Sequence, residues 1–192
     1  MTDLTKGSEL KGLFVFALPI FLGNLFEQLY NVTDTAIVGN FLGAEKLAAV
    51  GSSTQIVALT VSVSTGMSIG ASVIISQLYG AKRNQNMKEV VDTNLIFICL
   101  FSFFLMIFGL LYSPVFLEHL NVPAGLLSDA NAYLQTILLG LPFLFAYNTL
   151  ANVLRGLGDS KTPTFILISS VFLNVLLDII FIKVFTYGVI GA

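Results

Sequence analysis

Charged side chains are scarce in this sequence. Only 10% of its 192 residues are Asp, Glu, Lys or Arg, whereas 56% are hydrophobic. A typical soluble domain has about 25% charged and about 45–50% apolar residues. Nine basic and eleven acidic side chains cannot cover the surface of a soluble domain of this length. The composition therefore excludes a soluble globular domain and predicts an integral membrane protein that crosses the bilayer several times.

Further absences exclude several classes of function. The net charge is −2 and the sequence has no basic stripe, which excludes nucleic acid as a partner. The single cysteine, Cys99, allows no disulfide within the chain. The sequence has no phosphate-binding loop, no nucleophile elbow and no cluster of metal ligands. We therefore expect neither an enzyme nor a cofactor.

The sequence contains several long runs with few or no charged residues. A helix needs about 20 mostly apolar residues to cross roughly 30 Å of hydrocarbon. The runs predict an all-α polytopic helix bundle with spans at about 13–41, 52–79, 92–113, 130–154 and 164–187. Residues 188–192 are again apolar and predict the start of a sixth helix. We expect the chain to be the first part of a longer protein.

The basic residues predict the orientation of these spans. Seven of the nine lie in the N-terminal tail, the second loop and the fourth loop, and the first loop contains only Lys46. Cytoplasmic loops carry the excess of Lys and Arg in membrane proteins. This distribution predicts a multi-pass protein with a cytoplasmic N-terminus, and we expect its membrane to be a bacterial plasma membrane.

Two of the predicted spans contain acidic residues in polar stripes. Spacings of three, four and three residues place four polar side chains of the first span on one helical face. A second stripe in the fifth span repeats every four residues. The stripes are Asn24, Glu27, Asn31 and Asp34 in the first span, and Ser170, Asn174 and Asp178 in the fifth.

Acidic groups inside a bilayer are costly and usually mark a path for ions or substrates. Removal from water favours the protonated form of a carboxyl group, which makes it a candidate proton carrier. An ionised carboxylate beside amide oxygens can instead bind a hard cation such as Na⁺. A single acid near a helix end, such as Glu27 or Asp178, can equally be a residue of the membrane interface. The sequence does not decide whether the first and fifth spans touch.

Other features of the spans are consistent with packing. Gly66 and Gly70 form a small-residue pair that predicts close helix contact. Asn148 and Asn152 share one face of the fourth span, where they either line a cavity or bridge helices. Pro142 lies inside the same span, where the carbonyl group that it leaves unpaired either accompanies a bend of the helix or joins a site.

Four segments together resemble one family of transporters. Residues 29–39 read LYNVTDTAIVG, residues 47–51 read LAAVG, residues 77–81 read QLYGA and residues 154–163 read LRGLGDSKTP. In this order and spacing they resemble the first half of the multidrug and toxic compound extrusion (MATE) transporters. The resemblance covers nearly the whole chain, and its specificity comes from the four segments together.

The resemblance implies a fold and a set of functional residues. MATE transporters have twelve helices in two six-helix lobes around a central cavity, so the chain would be most of the N-terminal lobe and lack its C-terminal partner lobe. The similar branch of the family has an Asp in the first helix and Asn-x-x-x-Asp in the fifth, which match Asp34, Asn174 and Asp178. These residues would bind the coupling H⁺ or Na⁺. Tyr30, Asn31, Asn148, Asn152 and the acidic Glu27 are candidates for the substrate cavity.

The implied activity is secondary active efflux. An inward H⁺ or Na⁺ gradient would drive the export of amphiphilic or cationic drugs and toxic compounds. Two alternatives remain: a flippase for lipid-linked cargo in the same wider superfamily, and a membrane subunit that does not transport. A flippase for a diphosphate cargo would need a basic cavity, and no Lys or Arg lies well inside a predicted span.

Overall fold

Helices account for the regular structure of the chain. The computed structural model describes residues 9–181, which contain six α-helices and no strand. The helices are α1 (Glu9–Leu42), α2 (Ala44–Gly80), α3 (Asn84–His119), α4 (Ala124–Leu139), α5 (Leu141–Gly156) and α6 (Lys161–Ile179). This architecture confirms the predicted all-α membrane fold.

The first three helices are longer than the apolar runs that predicted them. They contain 34, 37 and 36 residues, which corresponds to roughly 50–55 Å each. The hydrocarbon core of a bilayer is only about 30 Å thick. The helices therefore extend beyond the predicted spans 13–41, 52–79 and 92–113, and they are longer than the hydrocarbon core requires.

The fourth predicted span is broken into two helices. We predicted one span over 130–154 with a bend as one of two roles for Pro142, and in the structure α4 and α5 meet at Gly140 with a bend of 46°. Pro142 occupies the first turn of α5 and has no N–H to continue the hydrogen bonding of α4. The bend follows from this missing donor, and the pair still has the length and composition of one membrane span.

Among residues 9–181, four single helices are long and apolar enough to cross a membrane, namely α1, α2, α3 and α6. The bent pair of α4 and α5 adds a fifth candidate span. The apolar face of α1 leaves Phe21, Leu25 and Val32 between 44% and 68% exposed. Such exposure in a long apolar helix is expected where lipid covers the surface. Residues 182–187 of the fifth predicted span and the predicted sixth helix at 188–192 lie outside the described residues.

The centre of the bundle is α2. It packs against α3, α4 and α5, while α1 packs mainly along α6. The apolar core lies among the helices around α2. Its fully buried members are Ala49, Ile98, Leu117, Ala130, Leu134, Leu138, Leu141 and Phe145.

A seam of hydrogen bonds joins α2 to α5. Ser72 Oγ donates to the Asn152 carbonyl oxygen at 2.8 Å, and Asn148 Nδ2 donates to Ser64 Oγ at 3.0 Å. The hydroxyls of Ser68 and Thr149 are hydrogen bonded at 3.3 Å. Small polar residues let helix backbones approach closely within a membrane protein. This seam fixes α5, and with it one wall of the cavity described below.

The turn between α5 and α6 is stabilised by Asp159. Its Oδ1 accepts hydrogen bonds from the backbone N–H groups of Lys161 and Thr162, both at 3.1 Å. Its Oδ2 accepts a hydrogen bond from the Thr162 hydroxyl at 2.7 Å. The hydroxyl bond and the backbone bonds lower the pKa of Asp159. The carboxylate thereby satisfies N–H groups that the first turn of α6 leaves unpaired.

Replacing Asp159 by Ala is expected to lower the free energy of unfolding by about 1 kcal/mol. Because the folded pKa is lower than the unfolded one, this contribution is present above the unfolded pKa and is lost as the pH falls through the folded pKa. Unfolding of the purified protein in detergent, followed from pH 7 downwards, measures both effects. Asp92→Ala, at an exposed acid of α3, is the matched control. Equal stability of the Asp159 variant and the control would contradict the prediction.

Candidate functional site

α1 packs along α6, a contact that the sequence left open. Asn174 Nδ2 on α6 donates a hydrogen bond to the Tyr30 hydroxyl on α1 at 3.1 Å. Nearer the N-terminal end of α1, Thr164 Oγ1 donates to the Pro19 carbonyl oxygen at 3.1 Å. At Gly23 an added Cβ would lie 3.2 Å from the Leu167 side chain. The two helices are therefore in close contact along several turns.

Two carboxylates lie together beyond the Tyr30–Asn174 contact. Asp34 follows Tyr30 by four residues, and Asp178 follows Asn174 by four, so each lies one turn further along its helix. Asp178 is 3% exposed and Asp34 is half-buried. The two side chains are close enough to repel each other when both are ionised.

Each carboxylate has a buried oxygen without a hydrogen-bond partner among residues 9–181: Oδ1 of Asp34 and Oδ2 of Asp178. A buried charged oxygen without a partner is costly. The phenol groups of Tyr30 and of Tyr133, from α4, lie within electrostatic range of both carboxylates. Binding of a proton or a small cation would relieve the repulsion and supply the missing partner.

A cavity of about 590 Å³ lies on the other side of the Tyr30–Asn174 contact. Its walls come from α1, α2, α5 and α6 and combine apolar, aromatic and polar side chains. The lining residues are Asn24, Glu27, Tyr30, Val61, Thr65, Phe143, Leu144, Tyr147, Asn148, Ala151, Asn152, Arg155, Leu167, Ser170, Val171 and Asn174. A mainly apolar cavity of this size with a few polar groups is typical of a small-molecule site.

The structure places most of the predicted cavity residues on this cavity. Glu27, Tyr30, Asn148 and Asn152 line it. Asn31 does not: it is exposed on α1 at the level where the Tyr30–Asn174 contact bounds the cavity. Asn31 directly follows Tyr30 and lies at almost the same height on α1, so the helical spacing was wrong about the direction of this side chain.

Asn148 of α5 performs both roles that the sequence left open, whereas the side chain of Asn152 bonds within α5. Asn148 donates to Ser64 of α2, and Asn152 Nδ2 donates to the Asn148 carbonyl oxygen at 2.8 Å. Both also line the cavity. Asn148 therefore bridges α5 to α2 while it lines the cavity, and Asn152 contacts α2 through its carbonyl oxygen, which accepts the hydrogen bond from Ser72 Oγ.

Sequence reasoning missed Arg155, Tyr147 and Tyr133. Arg155 follows Asn148 and Asn152 at helical spacing and so shares their face of α5. That spacing was a usable signal, but the position of Arg155 at the end of a predicted span assigned it to a loop. Tyr133 has no comparable signal, because only the packing of α4 brings it near Asp34 and Asp178.

Among residues 9–181, no three His, Cys, Asp or Glu side chains are grouped so that they could hold a metal ion. Asp34 and Asp178 supply two carboxylates, and Asn174 and Tyr30 supply neutral oxygens nearby. Such an all-oxygen set suits a proton or a hard monovalent cation and lacks the soft ligands typical of transition metals.

Comparison with known proteins identifies the family. A sequence profile of the MatE family matches residues 19–180. The chain belongs to the MatE family. It is 35% identical over 190 residues to the probable multidrug resistance protein YpnP of Bacillus subtilis, covering 99% of this chain and 43% of that protein.

Solved structures of MatE relatives agree with this fold. A multidrug resistance MATE family transporter of the MOP superfamily, in an outward-facing conformation, matches with a TM-score of 0.89 and 27% identity over 95% of this chain and 40% of its own. A MOP superfamily transporter from Pyrococcus furiosus matches with a TM-score of 0.89 and 26% identity over 94% of this chain and 40% of its own. The MatE chain therefore spans less than half the length of these relatives, consistent with an N-terminal lobe.

Proposed function

We propose that this MatE chain is the N-terminal lobe of a secondary active exporter that exchanges amphiphilic or cationic compounds for H⁺ or Na⁺. The observation that carries the proposal is the arrangement of two neighbouring carboxylates, Asp34 and Asp178, beside an amphiphilic cavity. The carboxylates bind the coupling ion and the cavity binds the compound. The names of the relatives as multidrug resistance proteins support the same activity.

Coupling follows from the hydrogen bond between the two sites. Tyr30 and Asn174 contact each other on the cavity wall, and each lies one turn from a carboxylate. Ion binding at Asp34 and Asp178 removes their repulsion and changes how closely α1 and α6 pack. Pro19 lowers the cost of bending α1, because the helix lacks one backbone hydrogen bond there. Alternating access then moves this lobe against the C-terminal lobe.

The cavity wall accounts for the proposed substrates. Tyr30, Phe143 and Tyr147 offer aromatic surface to flat apolar groups, and Glu27 offers a negative charge to a cation. Such a mixed wall does not require one particular ligand shape. A cavity of this kind suits compounds that share amphiphilic character rather than one structure.

Membrane placement belongs to the same proposal. The α2–α3 turn carries Lys82 and Arg83, and the α5–α6 turn lies beside Arg155 and Lys161. Because five spans alternate in direction, both turns lie on the same side of the membrane as the start of α1. The positive-inside rule makes this side cytoplasmic in a bacterial plasma membrane.

A flippase for lipid-linked cargo remains the second candidate. The position of Arg155 on the cavity supports this candidate, whereas the sequence placed no Lys or Arg well inside a span. This side chain lines the cavity and supplies a cation that a diphosphate would need. Glu27 lines the same cavity and would repel a diphosphate. Export of amphiphilic compounds therefore remains the first candidate function.

The proposal is tested with the complete gene product in proteoliposomes loaded with a cationic dye. An imposed H⁺ or Na⁺ gradient is expected to move the dye against the concentration gradient of the dye. Collapse of the ion gradient is expected to stop this movement. Separate H⁺ and Na⁺ gradients identify the coupling ion. Dye movement that is independent of both gradients would exclude antiport.

A further inference from the structure

Arg155 brings a positive charge to a cavity that also contains an acid. It lies in the last turn of α5, is half-buried, and lines the cavity. Its Nε is buried and has no hydrogen-bond partner among residues 9–181. A guanidinium group has five N–H donors in a fixed planar fork, and a buried donor without a partner is costly.

The usual structural role of an Arg in this position is already filled by the backbone. A basic side chain near a helix C-terminus commonly bonds the last carbonyl groups. At the end of α5, the carbonyl oxygens of Val153, Leu154 and Arg155 accept hydrogen bonds from backbone N–H groups of residues 157–159. The guanidinium is therefore not needed to complete the helix end.

Glu27 supplies the opposite charge from α1. Tyr147 lies within electrostatic range of both Glu27 and Arg155, so the two charges lie in one region of the cavity. They do not form an ion pair with each other; the described part of the chain has one ion pair, between Lys46 and Asp129. Both charges are thus available to a ligand that enters between them.

From this arrangement we infer that Arg155 forms a subsite for an acidic group, and that the cavity binds zwitterionic amphiphiles with their cationic group at Glu27. The inference rests on the proposed function and names its substrate class. A carboxylate matches the fork of a guanidinium with two parallel hydrogen bonds. The aromatic side chains of Phe143 and Tyr147 contact the apolar body of the same molecule.

The test uses one dye in two forms that differ by a single charge. A rhodamine with a free carboxylic acid is a zwitterion at neutral pH, and its ethyl ester is a cation of nearly the same shape. Binding of each form to the complete purified protein in detergent is measured by fluorescence anisotropy. Arg155→Gln is expected to weaken binding of the acid by about tenfold or more and to leave ester binding unchanged or tighter.

The controls separate recognition from folding. Glu27→Gln is expected to weaken binding of both forms, because both carry the cationic group. Arg155→Lys keeps the charge without the fork and is expected to recover part of the acid binding. Arg83→Gln, at an exposed Arg on the same side of the bundle, is expected to change neither.

Equal weakening of both forms by Arg155→Gln would assign Arg155 a structural role and overturn the inference. Unchanged binding of the acid would overturn it as well. If the unaltered protein binds neither form, the proposed function itself fails. That result is distinct from the first two, in which the unaltered protein still binds the ester.

Discussion

Replacing Asp34 by Asn is expected to reduce gradient-driven dye efflux to background in cells that contain the complete protein at normal abundance. The reason lies in the pair of carboxylates on α1 and α6. Asp34 and Asp178 are close enough to repel each other, and each has a buried oxygen without a partner among the described residues. An Asn at position 34 removes one charge permanently, so ion binding no longer changes the packing of the two helices.

Dye binding should survive the same substitution. Asp34 does not line the cavity, which the Tyr30–Asn174 contact bounds one turn earlier. Asp34→Asn is therefore expected to bind the cationic dye within about twofold of the unaltered protein, a difference well below 1 kcal/mol. Asp178→Asn should behave in the same way. Loss of transport with retained binding distinguishes a coupling residue from a substrate ligand.

Asp92→Asn is the matched control for both variants, because Asp92 is an exposed acid of α3. It is expected to leave efflux and binding unchanged. Normal efflux in Asp34→Asn would refute the assignment of coupling to this residue. Loss of both efflux and binding would place Asp34 in the substrate site instead.

Gly156→Ala is expected to destabilise the protein strongly. A Cβ at this position would lie 2.9 Å from Ser72 Oγ and 3.0 Å from the Ser72 carbonyl oxygen. The carbonyl belongs to the backbone of α2 and cannot rotate away. Ser72 is also the donor of the hydrogen bond to Asn152, so α2 and α5 must separate and weaken that bond. Overpacking of this kind costs about 1–3 kcal/mol.

Thermal unfolding of the purified protein in detergent measures this effect. Gly125→Ala is the matched control, because a Cβ on this residue of α4 would meet nothing within 4 Å among the described residues. The Gly156 variant is expected to unfold at a clearly lower temperature than the control. Equal unfolding temperatures of the two variants would contradict the close approach of α2 and α5 at Gly156.

The sequence alone was sufficient for the helical character and for much of the extent of the spans within residues 9–181. Charge-poor runs coincide with α1, α2, α3 and α6 and with the bent pair of α4 and α5, because entry into a bilayer depends on the hydrophobicity of each segment by itself. Helical spacing placed Glu27 and Asp34 on one face of α1, because the period of a helix is fixed by its backbone geometry. The resemblance to MATE transporters was confirmed by the match to residues 19–180. The roles of Asp34, Asn174 and Asp178 in coupling stay a prediction.

The sequence misled where the outcome depends on a neighbouring helix. Gly66 and Gly70 were expected to mark a close helix contact, yet a Cβ on either would meet nothing within 4 Å among the described residues. A close approach of α2 and α5 occurs instead at Gly156, the last residue of α5. A small residue permits contact, but only the position of another helix determines whether contact is made.

Tertiary structure alone decided how the site is assembled. It brought Asp178 to Asp34, bounded the cavity at Tyr30 and Asn174, left Asn31 outside it and directed Arg155 into it. Each of these outcomes joins residues that are far apart in the chain. Local patterns describe the hydrophobicity and the faces of one helix at a time. The choice of partner helix depends on packing and hydrogen bonding between helices, which no local pattern contains.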